Sequence, residues 1–213
     1  MTERPASDLR ASEPLTAPRC FGDGTPLYER YHDEEWGFPV RDEVVLFERI
    51  SLEAFQSGLA WITILRKRDA FREAFAGFDP ERVARFGDED VARLLADAAI
   101  VRNRAKIEAT IANARALLGL RRDGIDLSDL VWSFAPAEDP PAASGFADVP
   151  AQTPESKALA KALKAAGFRF VGPTTAYASM QACGIVDDHL AGCPIRPRVE
   201  AARARRAATV PSA

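Results

Sequence analysis

Residues 42–59 read DEVVLFERISLEAFQSGL, and their spacing decides the fold class. Val44, Val45, Leu46, Phe47, Ile50, Ala54 and Leu59 recur at helical intervals and supply a broad apolar stripe. Asp42 stands just before the first of them, where a side-chain oxygen can accept an orphan backbone N–H, so it is the expected N-cap. Working outward, the same pattern recurs. Shorter helices are expected over 69–76 and 88–98, the second opening on a capping Asp88 with acids in its first turn. Ile107, Ile111, Ala114 and Leu118 step by four, three and four, which places them on one face of a helix over 103–118.

Residues 126–134 read as another short helix, and 135–150 as a loop with Pro136, Pro140, Pro141 and Gly145. Thr153 before Pro154 is the signature of an N-cap and a first-turn proline, and that helix runs through Leu159 and Leu163 to a stop at Gly167. A last core helix is expected over 174–183. Residues 168–171 alternate weakly but are too short to imply a sheet. The expectation is one all-α domain over 20–193, with a flexible proline-bearing extension over 1–19 and a basic tail over 194–213.

Composition narrows the class. The chain has 213 residues, 28 Lys plus Arg against 31 Asp plus Glu, and 47% hydrophobic residues, enough to bury one sizeable core. No run of 18 apolar residues is present, which argues against a transmembrane helix, and 1–19 lacks the apolar core of a secretory signal. A cytoplasmic monomer is the expectation. Overall charge decides nothing about nucleic acid. Locally, Arg102, Arg104, Lys106, Arg115, Arg121 and Arg122 face only Glu108 between 102 and 122.

Scarce residues are the most informative. The chain has 2 His and 3 Cys, and Cys20 and His32 lie near the start of the body while His189 and Cys193 lie at its end. These are the ligand types zinc takes in four-coordinate structural sites, and the last two can share a helical turn. The step from Cys20 to His32 is not that of a standard finger, so the residues alone leave a metal and coincidence both open. A metal held by all four would be closed to water and therefore structural. Cys183, inside an apolar segment, reads as a core thiol.

Four runs carry a resemblance: YHDEEWG at 31–37, SLEAFQSGLAWITILRKR at 51–68, IVRNRAKI at 100–107 and FVGPTTAYASMQACGIVDDHLAGC at 170–193. In this order they resemble the DNA-3-methyladenine glycosylase I family across nearly the whole body. The resemblance implies a helix-hairpin-helix glycosylase of base-excision repair that hydrolyses the N-glycosidic bond of 3-methyladenine in alkylated double-stranded DNA. It also implies one structural Zn2+ per chain on Cys20, His32, His189 and Cys193, joining the N- and C-terminal segments. A base pocket is implied at Tyr31, Trp36, Glu53 and Trp61, with Glu53 as the catalytic residue.

Each residue also has an ordinary reading. Glu53 sits inside the apolar helix, where the residues alone favour an ion pair with Arg49 one turn earlier. Under the resemblance it attracts a base made cationic by methylation and accepts a hydrogen bond from its exocyclic amine. Tyr31, Trp36 and Trp61 would by default be core aromatics, as Trp132 is expected to be, but a base flipped from the duplex needs such flat faces. A cation gains further from their electron-rich faces. Tyr28 is expected to lie behind them.

Residues 98–103 match the family's hairpin, whose amides would meet phosphate, with Arg102, Arg104 and Lys106 as the DNA-binding cations. Two departures stand out: Ala99 where the family commonly has Gly, and Phe21-Gly22-Asp23-Gly24 where it often has Trp. The first would matter if the turn needs a positive φ; the second removes a pocket wall unless Phe21 supplies it. The pocket motifs contain no Lys placed as a Schiff-base nucleophile, so a monofunctional hydrolase without lyase activity is expected. The competing reading is a non-catalytic zinc-containing helix-hairpin-helix protein that binds DNA or senses damage; a zinc-dependent hydrolase is a third.

Overall fold

A computed structural model describes residues 18–207, so most of the expected extension over 1–19 lies outside the described residues. Ten α-helices and no strand are found among them. In chain order they are α1 (Pro26–Glu34), α2 (Glu43–Gln56), α3 (Trp61–Ala74), α4 (Pro80–Val83), α5 (Asp88–Ala96), α6 (Arg104–Arg122), α7 (Leu127–Trp132), α8 (Pro154–Ala165), α9 (Pro173–Ala182) and α10 (Arg196–Ala207). No helix of the described residues is long and apolar enough to cross a membrane.

Local capping sets most of these boundaries. Asp42 accepts the Val45 N–H at 3.0 Å and starts α2, Asn103 accepts the Lys106 N–H at 3.1 Å and starts α6, and Asp126 caps α7. Thr153 and Ser156 exchange side-chain and backbone hydrogen bonds in a capping box, with Pro154 opening α8 as expected. Gly167, at φ +100, ends that helix's overrun, and the Phe168 N–H turns back to Leu163 O at 2.9 Å.

Several expectations are corrected. α3 starts at Trp61 rather than near 69, because Ile64, Leu65 and Phe71 gain burial that outweighs the weak propensity of Ile62-Thr63-Ile64. Asp88 is already helical: the cap position is Gly87, whose N–H is taken by Asp90 at 3.2 Å. Leu59 leaves the apolar stripe, since α2 ends at Gln56 and Gly58 turns the chain at φ +84. The expected basic tail is helical as α10, because Val199 is fully buried beside Cys193 and Ile195 and Arg198 lies over the Phe38 ring.

The core centres on α2, which packs against α3, α6, α7 and α9, while α8 packs on α9 and α1 on α3. Phe47, Phe55, Phe71, Phe75 and Phe78 are fully buried there, each contributing roughly 1.5–3 kcal/mol by burial. Trp132 packs at the edge, its indole N–H on Val40 O at 2.8 Å, and Cys183 is buried as expected. Residues 37–40 cross the end of α9 closely. The Gly37 N–H reaches Gln181 O and the Val40 N–H reaches Cys183 O, and a Cβ on Gly184 would lie 2.4 Å from Gly37 O. Only glycine fits that crossing, which also has φ +69.

Candidate functional site

A cavity of about 440 Å³ opens where α1, α2, α3 and α9 meet. Tyr31 and Trp36 enter it from α1 and the turn after it, Glu53 from the middle of α2, and Trp61 as the first residue of α3. The tertiary fold therefore brings together all four expected pocket residues, from three sequence segments. Tyr31 and Trp61 rings lie 5.3 Å apart at 44°, leaving two tilted aromatic faces on the cavity wall.

Glu53 is 6% exposed, and no hydrogen bond or ion pair joins it to the protein among the described residues. The ion pair with Arg49 expected from the residues alone does not form. The Arg49 guanidinium instead donates to the carbonyls of Ala182 and Glu35. Burial pushes the Glu53 carboxyl up to about 8, only partly opposed by the Arg49 charge. Burial in this cavity therefore favours the neutral carboxyl over the carboxylate. The buried Tyr31 phenol is held well above its ordinary range, first by burial and then by Glu53.

Two further lining residues are already in question from the sequence, Tyr28 behind the aromatics and Phe21 as a wall. Tyr28 lines the cavity directly, and Phe21 closes the wall that its neighbourhood put in question, with its ring 4.9 Å from Trp36 and 5.1 Å from Tyr28. Gln56, Phe146, Val149, Ala178 and Gln181 complete it. Gln56 follows Glu53 on the same helix turn and was legible in principle. Phe146 and Val149 come from a loop with no periodic signal and were not.

Directly behind Trp36 lies a second polar cluster. One ligand atom each from Cys20, His32 and Cys193 lies within 4.8 Å of the others. His189 is outside that triplet but next to it, its ring centroid 5.0 Å from that of His32. Both imidazoles are fully buried and oriented from behind by a carboxylate: His32 Nδ1 is 2.8 Å from Asp33 and His189 Nδ1 is 2.9 Å from Asp187. Nδ1 is then the donor in each ring, and Nε2 keeps a lone pair. His189 Nε2 is buried without a partner. Hydrogen bonding from Cys20, and to a lesser extent from His32, holds the Cys193 thiol below its ordinary range. A Cβ on Gly37 would stand 2.8 Å from the His189 ring, so this imidazole is tightly cradled. Cys20, His32 and Cys193 are thus a group that could hold a metal ion, with the His189 ring beside it.

The basic segment does not form one face. Arg102 and Arg104 are exposed near the turn between α5 and α6, Arg104 pairing with Glu108 at 3.2 Å. Lys106 differs from the expected surface cation. It is 8% exposed and donates to Phe55 O at 2.9 Å and Ser57 O at 2.6 Å, satisfying carbonyls at the end of α2. Arg115 donates to Ala84 O and Phe86 O, and Arg121 pairs with Glu43. The turn itself is braced by Lys67, which donates to Ala98 O and Ala99 O. Ala99 is not among the positive-φ residues, so the methyl group causes no backbone strain there.

With this geometry in hand, the relatives are informative. The family model of methyladenine glycosylase matches residues 21–197. The DNA-3-methyladenine glycosylase 1 of Escherichia coli (strain K12) is 50% identical over 173 residues, spanning 81% of this chain and 92% of its own. A crystal structure of 3-methyladenine DNA glycosylase I is similar at TM-score 0.81 and 49% identity, over 83% of this chain and 98% of its own. A Tyr→Phe variant of 3-methyladenine DNA glycosylase I in complex with 3-methyladenine is similar at TM-score 0.79 and 35% identity, over 84% and 96%.

Proposed function

The chain belongs to the methyladenine glycosylase family, and from that premise we propose that it excises 3-methyladenine from DNA by hydrolysing the N-glycosidic bond. One observation carries the assignment to this cavity: Glu53 is a buried carboxyl without a protein partner, in a cavity walled by aromatic rings. A buried carboxyl in that position costs free energy unless a ligand completes it. A flipped 3-methyladenine nucleotide supplies both missing elements, a positive charge and an exocyclic N–H donor, while Tyr31, Trp36 and Trp61 replace the stacking lost from the duplex. Neutral adenine lacks the charge, so Glu53 discriminates as well as binds.

The chemistry needs little more. Water attacks the anomeric carbon, the bond from that carbon to the base breaks, and its electron pair neutralises the cationic base, which leaves without being protonated. The attacking water gives its proton to solvent. Selective binding of the developing charge is the main contribution of the protein. No Lys lines the cavity among the described residues, which supports a monofunctional hydrolase over a Schiff-base lyase.

Cys20, His32, His189 and Cys193 would hold one structural zinc, which when bound links the two ends of the domain and supplies no group to the reaction. Trp36 lies 4.5 Å from the His189 ring, so a rigid cluster also fixes a pocket wall. The turn between α5 and α6 acts as the hairpin of a helix-hairpin-helix unit on double-stranded DNA. Its exposed Arg102 and Arg104 approach phosphate, while Lys106 braces α2 from within. The protein acts as a cytoplasmic monomer. The features that favoured a non-catalytic binder no longer do so: Phe21 lines the cavity and Ala99 is unstrained.

The test is excision from methylated duplex DNA with released bases identified by chromatography. Wild-type protein should release 3-methyladenine, and Glu53→Gln should lower kcat/KM by about 10–100-fold, the worth of a charge-assisted hydrogen bond, while melting no lower than the wild type. Absence of free 3-methyladenine from wild-type digests removes the assignment.

A further inference from the structure

We propose that α10 sets the shape of the base pocket: Arg203 is a positioning residue that holds the 135–153 loop so that Phe146 forms a wall against the bound base. This rests on the cavity being the base pocket. Phe146 is a large apolar side chain left 46% exposed, yet it lines the cavity, with its ring 6.3 Å from Phe21. A flat ligand would cover that exposed face.

The loop carrying it has one 3-10 turn, Phe146–Asp148, and must be held by others. Arg203 grips Asp139 through both terminal nitrogens, at 2.5 and 2.8 Å. The same guanidinium donates from Nε to Gly184 O at 3.0 Å and from a terminal nitrogen to Ile185 O at 3.1 Å. Gly184 lies at the close backbone crossing with residues 37–39, so the loop is referenced to a tightly packed point. A single ion pair at a half-exposed site adds little stability, but a planar fork with all three nitrogens engaged fixes direction. Between Asp139 and Phe146, the Ala191 N–H adds a hold on Ala143 O at 2.9 Å. α10 continues to Ala207, past the family match that ends at 197, so this support is an addition to the matched region.

The experiment measures binding of free 3-methyladenine by quenching of Trp36 and Trp61 fluorescence in the wild-type chain, Phe146→Ala, Arg203→Ala, Asp139→Ala and the Phe146→Ala/Arg203→Ala double variant, each with its melting temperature. Phe146→Ala should weaken binding about tenfold, as loss of one stacking face does. Arg203→Ala and Asp139→Ala should each weaken it by about three- to fivefold with near-normal melting, and the double variant should bind no worse than Phe146→Ala. Wild-type affinity in Arg203→Ala, or losses that multiply in the double variant, would overturn the proposal. Failure of the wild-type chain itself to bind 3-methyladenine defeats the pocket assignment instead.

Discussion

Two buried polar sites stand back to back across Trp36, and they satisfy their polar atoms in opposite ways. In the Cys20/His32/Cys193 cluster the donor atoms face one another, carboxylates orient His32 and the neighbouring His189 from behind, and Cys20 Sγ accepts the Leu190 N–H. In the cavity, Glu53 faces no protein partner at all. The first arrangement turns its donors inward on one another and leaves His189 Nε2 without a partner among the described residues; the second turns its carboxyl toward an open cavity. Trp36 belongs to both, with its ring 4.5 Å from His189 on one side and the cavity on the other. Burial alone therefore does not separate structural polar groups from ligand-binding ones. What separates them is whether the polar atoms converge on one point inside the protein or face a cavity large enough for a flat ligand.

The largest effect expected from breaking this contrast is at the closed site. Cys193→Ala, or a chelator acting on the zinc proposed above, should destabilise the fold by ~4 kcal/mol or more and abolish excision with it, because the cluster joins residues 170 positions apart. Thermal melting followed by circular dichroism, alongside metal analysis of the purified chain, checks this. Loss of excision in a chain that still melts normally would mean that the cluster is catalytic after all.

Next comes the open site. The Glu53 carboxyl is pushed up to about 8 in the folded chain, while the unfolded chain ionises near the ordinary 4.5. Between those values the folded state holds the extra proton. Stability therefore falls as pH rises from about 4.5 to about 8 and levels off above, by at most on the order of 5 kcal/mol. Glu53→Gln should flatten that part of the profile, and denaturant melts of both proteins across the window measure the difference. Conversely, kcat/KM on the cationic nucleotide should rise with pH toward 8, since the free enzyme must first lose this proton.

The smallest effects distinguish the cations. Arg102→Ala should reduce the salt dependence of DNA binding by about one phosphate contact and leave stability unchanged. Lys106→Met should do the reverse, costing ~1–3 kcal/mol because two carbonyls at the end of α2 lose their donor. Equal salt slopes for wild-type and Arg102→Ala would take this residue out of the DNA contact.

Much of this is legible in the sequence. Asp42, Asn103, Asp126 and Thr153 mark helix starts because capping is decided by residues two or three positions away, and local chemistry shows in local sequence. Glu53 stood out because a carboxyl inside an apolar stripe violates the pattern around it. The scarcity of His and Cys made their grouping visible. The start of α3 was misplaced because its polar, β-branched first turn carries no strong period, and burial of Ile64 and Leu65 overrides propensity.

The sequence by itself thus determined the all-helical class, most of the helix starts, and the residue types from which both sites are built, since these follow from periodicity and short-range hydrogen bonding. Only the tertiary structure decided where long side chains end. Lys106 finds Phe55 O 51 residues away, Arg49 finds Ala182 O 133 residues away, and Arg203 finds Asp139 64 residues away. A flexible cation is consistent with many partners in the sequence, and the crossing of helices chooses one by placing an unsatisfied oxygen within its reach.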